Sequence, residues 1–128
     1  MGVRTLLAAA SAAVLVACSG MPGMHGGPPV KVSDGVYTGD NGMTLYTFDR
    51  DTAGSGKSVC NGQCATLWPP LFAADAAQAT GPWTIVTRDD GRKQWALNGK
   101  PVYFFARDQT PGERTGDNFN NVWKLAKS

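Results

Sequence analysis

The hydrophobic and polar positions of this chain divide it into three stretches. Residues 6–17 form a mainly apolar run, which follows a short start that carries one charge, Arg4. Residues 19–29 are rich in glycine and proline and show neither a helical nor a strand period, which is typical of a flexible tether. From about residue 30, short apolar and aromatic runs alternate with turn-forming residues, a pattern that predicts β-strands.

Asn-Gly and Asp-Gly dipeptides place the turns between these strands. Asn41-Gly42 and Asn98-Gly99 supply the two positive-φ positions of a type I′ turn, so each is expected to close a β-hairpin. A third hairpin is expected at Asp89-Asp90-Gly91. The predicted strands are 35–38, 44–48, 83–87, 93–97 and 102–105, with one helical turn near 60–67.

An internal repeat organises the same region. Asn41-Gly-Met-Thr-Leu-Tyr-Thr-Phe-Asp-Arg-Asp51 aligns without gaps with Asn98-Gly-Lys-Pro-Val-Tyr-Phe-Phe-Ala-Arg-Asp108, and each copy is followed by a tryptophan, Trp68 or Trp123. Duplication is the best explanation of such self-similarity. The fold class predicted is therefore mainly β: a small antiparallel β domain built from two hairpin-centred repeats, about 35–71 and about 92–126.

The element shared by the two copies is Tyr-x-Phe-x-x-Asp. Tyrosine and phenylalanine two positions apart project to one face of a strand, so each pair is expected to pack against the tryptophan of its own half. The aspartate follows the strand and is expected to accept backbone N–H groups and order the next loop. The alternative is that the two carboxylates line a binding surface or hold a cation. The motif residues are Tyr46, Phe48, Asp51, Tyr103, Phe105 and Asp108.

These motifs resemble the predicted bacterial lipoproteins defined by a repeated Yx(F/W/Y)xxD motif, which are described as secreted repeats of unknown function. The resemblance extends over nearly the whole chain after residue 30 and includes Asp90, Gly91, Gln94 and the run 98–101. Because that family is defined by its sequence, the resemblance implies an exported protein and no particular activity.

The start of the chain carries a second resemblance. The apolar run is too short to span a bilayer as a lasting helix, and it ends in Leu15-Val16-Ala17-Cys18, which resembles the bacterial lipobox. The resemblance implies cleavage before Cys18 and acylation of its sulfur. We therefore expect a lipoprotein signal peptide at 1–17, a lipidated cysteine and flexible tether at 18–30, and a single β domain at 31–128. The alternative is a buried free cysteine at position 18.

Two cysteines remain in the domain. In an oxidising compartment Cys60 and Cys64 are expected to form a structural disulfide, which the Asn-Gly between them favours. A redox-active pair is the alternative, although the spacing is not Cys-x-x-Cys. Covalent haem attachment would need a histidine where Ala65 stands.

Charge and candidate metal ligands restrict the function classes. The chain has 12 Lys+Arg and 10 Asp+Glu without a basic stripe, so nucleic acid is not expected as a partner. Met21, Met24 and His25 in the tether are weak candidates for copper, and no cofactor or other metal site is expected. His25 is the only histidine, so no Ser/His/Asp or Cys/His system can form in the domain, and the protein is not expected to be an enzyme.

The sequence thus supports one hypothesis and one alternative. The hypothesis is an exported, lipid-anchored cell-envelope protein that acts as a non-catalytic binding or structural module, with the membrane contacted through the lipid and an envelope protein or small ligand as partner. In a Gram-negative cell, Ser19 after the lipidated cysteine favours the outer membrane, facing the periplasm. The alternative is an extracytoplasmic redox or copper-handling protein.

Overall fold

A computed structural model describes residues 27–128. The predicted lipid site, Cys18, and the copper candidates Met21, Met24 and His25 lie outside the described residues. The described part is mainly β, as predicted, and its one α-helix is too short to cross a bilayer. Its elements are β1 Val30–Ser33, β2 Val36–Gly39, β3 Tyr46–Phe48, α1 Gln63–Leu67, β4 Phe72–Ala73, β5 Trp83–Thr87, β6 Lys93–Leu97, β7 Lys100–Tyr103, a 3-10 turn at Phe119–Asn121, and β8 Trp123–Leu125.

The described strands form two antiparallel sheets. β1 and β2 make a two-stranded sheet, and the other strands make a six-stranded sheet in the order β4-β6-β7-β3-β8, with β5 also paired to β6. The central pair is β3 and β7, the motif strands of the two repeats, with Tyr46 opposite Tyr103. The repeats therefore meet at the middle of the sheet, motif strand against motif strand.

The predicted turn chemistry is correct at one Asn-Gly pair and wrong at the other. Asn98 and Gly99 have φ values of +52° and +86°, as a type I′ turn between β6 and β7 requires. At the first pair only Gly42 has a positive φ, +83°. There Gly39 accepts a hydrogen bond from the Gly42 N–H and donates one to the Met43 carbonyl, each 2.9 Å long. The connection is thus a type I turn followed by a glycine bulge, a longer loop that also matches strand twist.

The first hairpin of the domain was not predicted. Asp34 and Gly35 have φ values of +50° and +79° and join β1 to β2, with Val30 opposite Gly39 at the far end. β1 begins at Val30, directly after the Gly/Pro-rich segment. Its residues are mostly exposed, so the strand lacks the apolar alternation that reveals half-buried strands in a sequence.

The segments that contain the tryptophans cross from one repeat to the other. β8 lies beside β3, with Trp123 opposite Phe48. In the same way, residues 67–71 lie beside the end of β7, where Pro69 accepts the Phe104 N–H at 2.7 Å. Each repeat thus supplies the outer neighbour of the other repeat's motif strand.

The described part of the sheet separates two buried clusters. Leu45 and Val102 belong to one cluster with Trp83, Trp95 and Leu97, whereas Tyr46 and Tyr103 belong to the other. This division follows from the alternation of successive side chains along a strand. The motif residues are therefore concentrated on one face of the sheet.

Candidate functional site

The motif face is built around a stack of four aromatic rings. Trp68 and Trp123 lie at its centre with ring centroids 3.7 Å apart and planes within 4°. Phe105 stacks on the outer face of Trp68 at 4.1 Å, and Phe48 stacks on Trp123 at 4.2 Å. We call Phe48, Trp123, Trp68 and Phe105 the aromatic stack.

The aromatic stack corrects one prediction. We expected Tyr46, Phe48 and Trp68 to pack in one half, and Tyr103, Phe105 and Trp123 in the other. The tyrosine part of this prediction is confirmed, since Tyr46 contacts Trp68 and Tyr103 contacts Trp123 edge-on, with ring centroids 5.4 and 5.2 Å apart. The phenylalanine part is wrong, because residues 67–71 and β8 cross over and each tryptophan stacks on the phenylalanine of the other repeat. Gly116 permits the close packing, since a Cβ there would lie 2.7 Å from the Trp68 ring.

The motif tyrosines and aspartates are exchanged between the repeats as well. Tyr46 donates its hydroxyl hydrogen to Oδ2 of Asp108 at 2.6 Å, and Tyr103 donates to Oδ2 of Asp51 at 2.5 Å. Both tyrosines are fully buried, and the aspartates are 3% and 6% exposed. The motif therefore forms two reciprocal Tyr–Asp pairs across the repeat boundary.

The second oxygen of each aspartate orders a loop. Oδ1 of Asp51 accepts the Val59 N–H at 2.7 Å, and Oδ1 of Asp108 accepts the N–H of Thr115 at 2.9 Å together with its hydroxyl. These are backbone contacts of the kind that the sequence predicts for these aspartates. The sequence did not indicate the tyrosine partners.

Burial determines the protonation behaviour of these groups. Burial raises the pKa of Asp51, against the hydrogen bonds from Tyr103 and Val59, which lower it. Burial, followed by the hydrogen bond to the partner carboxylate, raises the pKa values of Tyr46 and Tyr103 above their ordinary range. Both phenols therefore remain protonated donors at neutral pH.

Beside one of the two Tyr–Asp pairs lies a buried polar network that the sequence did not predict. The Tyr103 hydroxyl is 2.6 Å from Ser58 Oγ, which accepts a hydrogen bond from Nη1 of Arg88 at 3.0 Å. Nη1 also donates to Gln94 Oε1 at 2.7 Å, and Nη2 donates to the Cys60 carbonyl at 2.6 Å. Arg88 is only 4% exposed.

A sequence signal for Arg88 exists in retrospect. It stands two positions after Val86, which is buried, and side chains two apart in an extended chain point to the same face. Arginine is rarely fully buried without a partner, so the ordinary expectation would place it in solvent.

The predicted disulfide is present. Cys60 and Cys64 are bonded with their Cα atoms 5.2 Å apart, and the bond closes the loop between Ser58 and α1. Cys60 is fully buried, and its carbonyl is the acceptor for Arg88. The disulfide therefore fixes the loop that supports the buried network.

A surface pocket of about 560 Å³ lies against this loop. Its walls are the disulfide loop and α1, the prolines before β4, and the turn between β5 and β6. Among residues 27–128, no group of three or more His, Cys, Asp or Glu side chains is placed to hold a metal ion. The residues that line the pocket include Asn61, Thr66, Pro70, Phe72, Arg88 and Arg92.

Comparison with known proteins agrees with the resemblance stated from the motifs. A family model described as a secreted repeat of unknown function, Lipoprotein_15, matches residues 29–77 and again residues 84–127. The two matches coincide with the two repeats. No curated protein and no solved structure matches the chain significantly.

Proposed function

The chain belongs to the Lipoprotein_15 family of secreted repeats of unknown function and is an exported protein, and from this premise we propose that it is a lipid-anchored binding module of the cell envelope without catalytic activity. The family membership fixes export. The lipid anchor, the binding role and the absence of catalysis are the proposal.

The observation that carries the binding role is the burial of the whole motif. Both Tyr–Asp pairs are satisfied internally, and the aromatic stack is enclosed in the core. Groups in this condition hold the repeats together and are not presented to a substrate. Recognition is therefore left to surface pockets such as the one beside the disulfide loop, whose size is within the roughly 300–1,000 Å³ of small-molecule sites.

The anchor is supported by Leu15-Val16-Ala17-Cys18 and by the position of β1. Because β1 begins at Val30, the tether has about a dozen residues and reaches roughly 40 Å when fully extended. A lipid on Cys18 would hold the domain close to the bilayer. In a Gram-negative cell, Ser19 favours the outer membrane as the destination.

Intact-mass analysis of the full chain expressed in a bacterial host tests the anchor. The wild type should lose residues 1–17, carry acyl mass on Cys18 and enter the detergent phase. Cys18→Ser should remain uncleaved and unacylated, whereas the matched control Ser19→Ala should behave like the wild type. A mature wild-type protein without acyl mass would contradict the anchor.

Site-specific photo-crosslinking in living cells tests the binding role. A photoreactive residue in place of exposed Phe72, on the pocket wall, should give a defined adduct, and one in place of exposed Val32, on β1, should not. Equal labelling from both positions would contradict the proposal. Stoichiometric copper, iron or haem in protein purified from its own envelope would instead support the redox or metal-handling alternative.

A further inference from the structure

The pocket beside the disulfide loop has an unusual charge at its inner side. Arg88 lines this pocket, is 4% exposed and has no carboxylate within ion-pair distance among the described residues. Its hydrogen-bond partners are the neutral groups of Ser58, Gln94, Cys60 and Asn61. Its Nε is buried and has no hydrogen-bond partner within residues 27–128. A buried cation held only by neutral groups is costly, so an anion that comes close to it is favoured.

The carboxylates at the rim of the pocket form no ion pair with Arg88. Asp89 is paired with Lys57 at 3.2 Å, and Asp90 is paired with Nε of Arg92 at 3.1 Å. The charges of the side chains that line the pocket, Arg88, Arg92, Asp89 and Asp90, cancel, and Lys57, which pairs with Asp89 from outside the lining, adds one positive charge nearby. The buried network reaches a carboxylate only at Asp51, which is connected to Arg88 through Ser58 and Tyr103.

An apolar surface lies next to this charge. Phe72 is 40% exposed, and the guanidinium of Arg92 lies over its ring at 4.1 Å from the centroid. Pro69 and Pro70 continue the apolar wall. A pocket that places the buried Arg88 beside an apolar wall suits a molecule that combines one negative charge with an apolar body.

The two halves differ around their Tyr–Asp pairs, which indicates that the repeat architecture does not require Arg88. On one side the Tyr103 hydroxyl contacts Ser58, which Arg88 holds. On the other side the Tyr46 hydroxyl accepts the Gly116 N–H at 3.2 Å, without any arginine. The fold thus completes one Tyr–Asp pair without a buried cation or a disulfide, so Arg88 and the Cys60–Cys64 loop are additions to one half.

We propose that this pocket binds a small organic monocarboxylate, with its carboxylate on the Arg88 side and its apolar body on Phe72 and the prolines. A dianion such as phosphate is disfavoured, because the carboxylates of Asp89 and Asp90 also face the pocket. This inference rests on the proposed binding function and names the ligand class of that site.

Ligand-observed saturation-transfer NMR on the lipidated full chain in nanodiscs tests it, with benzoate as the probe, benzamide as its neutral counterpart and empty nanodiscs as background. Benzoate should bind saturably and benzamide should not. Raised salt should weaken the binding, and inorganic phosphate should compete poorly. Arg88→Gln should bind benzoate about tenfold more weakly, the loss expected when a charged partner is removed. The matched control is Arg114→Gln, an exposed arginine at another pocket.

If Arg88→Gln does not fold, as judged by its thermal melt, Phe72→Ala decides between the outcomes. Because the Phe72 side chain is exposed, its truncation should weaken benzoate binding without unfolding the domain. Equal signals from benzoate and benzamide, full binding in both variants, or phosphate competing as well as benzoate would each overturn the proposal. A crosslinked partner at position 72 without benzoate binding would preserve the binding function and remove the carboxylate ligand. The two failures are therefore distinguishable.

Discussion

Trp68 and Trp123 stack face to face at 3.7 Å, although each closes a different repeat. Phenylalanines from the opposite repeats cover the two outer faces of the pair. The same exchange occurs in the Tyr46–Asp108 and Tyr103–Asp51 hydrogen bonds. The two repeats are thus halves of one core, and each completes the other.

Truncation of the outer rings should destabilise the domain strongly. Phe48→Ala and Phe105→Ala should each lower the free energy of unfolding by about 3–5 kcal/mol, since each removes a buried ring that stacks on a tryptophan. Urea unfolding followed by tryptophan fluorescence gives the values. Phe72→Ala, at an exposed ring, is the control and should change stability by about 0.5 kcal/mol or less. If both core variants had the free energy of unfolding of the wild type, these rings would be surface features.

The exchanged hydrogen bonds predict a crossed pattern of energetic coupling. In a double-mutant cycle, Tyr46→Phe and Asp108→Asn should be coupled by roughly 1.5–3 kcal/mol, the range for hydrogen bonds to charged groups. Tyr46→Phe and Asp51→Asn, which belong to one repeat, should be nearly additive. Chemical denaturation of the single and double variants measures both cycles. Coupling within a repeat and none between repeats would contradict the exchange.

Asp51 should make stability depend on pH in a definite direction. Burial raises its pKa in the folded protein above the 3.8 of the unfolded chain, so the folded state holds the proton more tightly. Stability gained from the protonated form is fully present below pH 3.8 and is lost as the pH rises through the raised pKa.

In Asp51→Asn that loss is absent, because the amide has no proton to release and still accepts the Val59 N–H. As the pH is raised through this window, the melting temperature of Asp51→Asn should therefore increase relative to that of the wild type. Asp40→Asn, at an exposed position, is the control. Thermal melts in steps of pH measure the difference, and a constant offset between Asp51→Asn and wild type would refute the assignment.

Loss of the disulfide should weaken the domain moderately. The Cys60→Ala/Cys64→Ala variant should unfold about 2 kcal/mol more easily, toward the low end for disulfides because the closed loop is short. Urea unfolding with and without reductant measures the cost, and reductant should have no effect on the variant. Non-reducing peptide mapping should find the two cysteines crosslinked. Alkylation of both without reductant would instead favour the redox interpretation.

Separate repeats should not fold. A fragment of residues 27–81 and a fragment of residues 82–128 should each lack the near-ultraviolet circular dichroism of packed tryptophans, because each lacks the partner faces of its own stack. An equimolar mixture should recover part of that signal. The control is the intact chain at the same concentration. Cooperative unfolding of either fragment alone would show that the repeats are independent.

Local features of the fold could be predicted from the sequence. Trp83–Thr87 and Lys93–Leu97 are strands with the predicted bounds, and Asn98-Gly99 forms the predicted type I′ turn. The Cys60–Cys64 bond was also predicted. Each of these depends on residues close together in the chain, where strand period, the conformational freedom of glycine and the short cysteine spacing act directly.

Only the tertiary structure decided that the tyrosines and tryptophans of one repeat find their aspartate and phenylalanine partners in the other repeat. The strand period assigns Tyr46 to a buried face, but Asp51 and Asp108 have the same sequence context, so the sequence offers two equivalent partners. The pairing of β3 with β7 and the crossing of residues 67–71 and β8 select the distant aspartate and the distant phenylalanine. The burial of Arg88 was decided in the same way, because its acceptors come from a loop some thirty residues earlier in the chain and from the next strand.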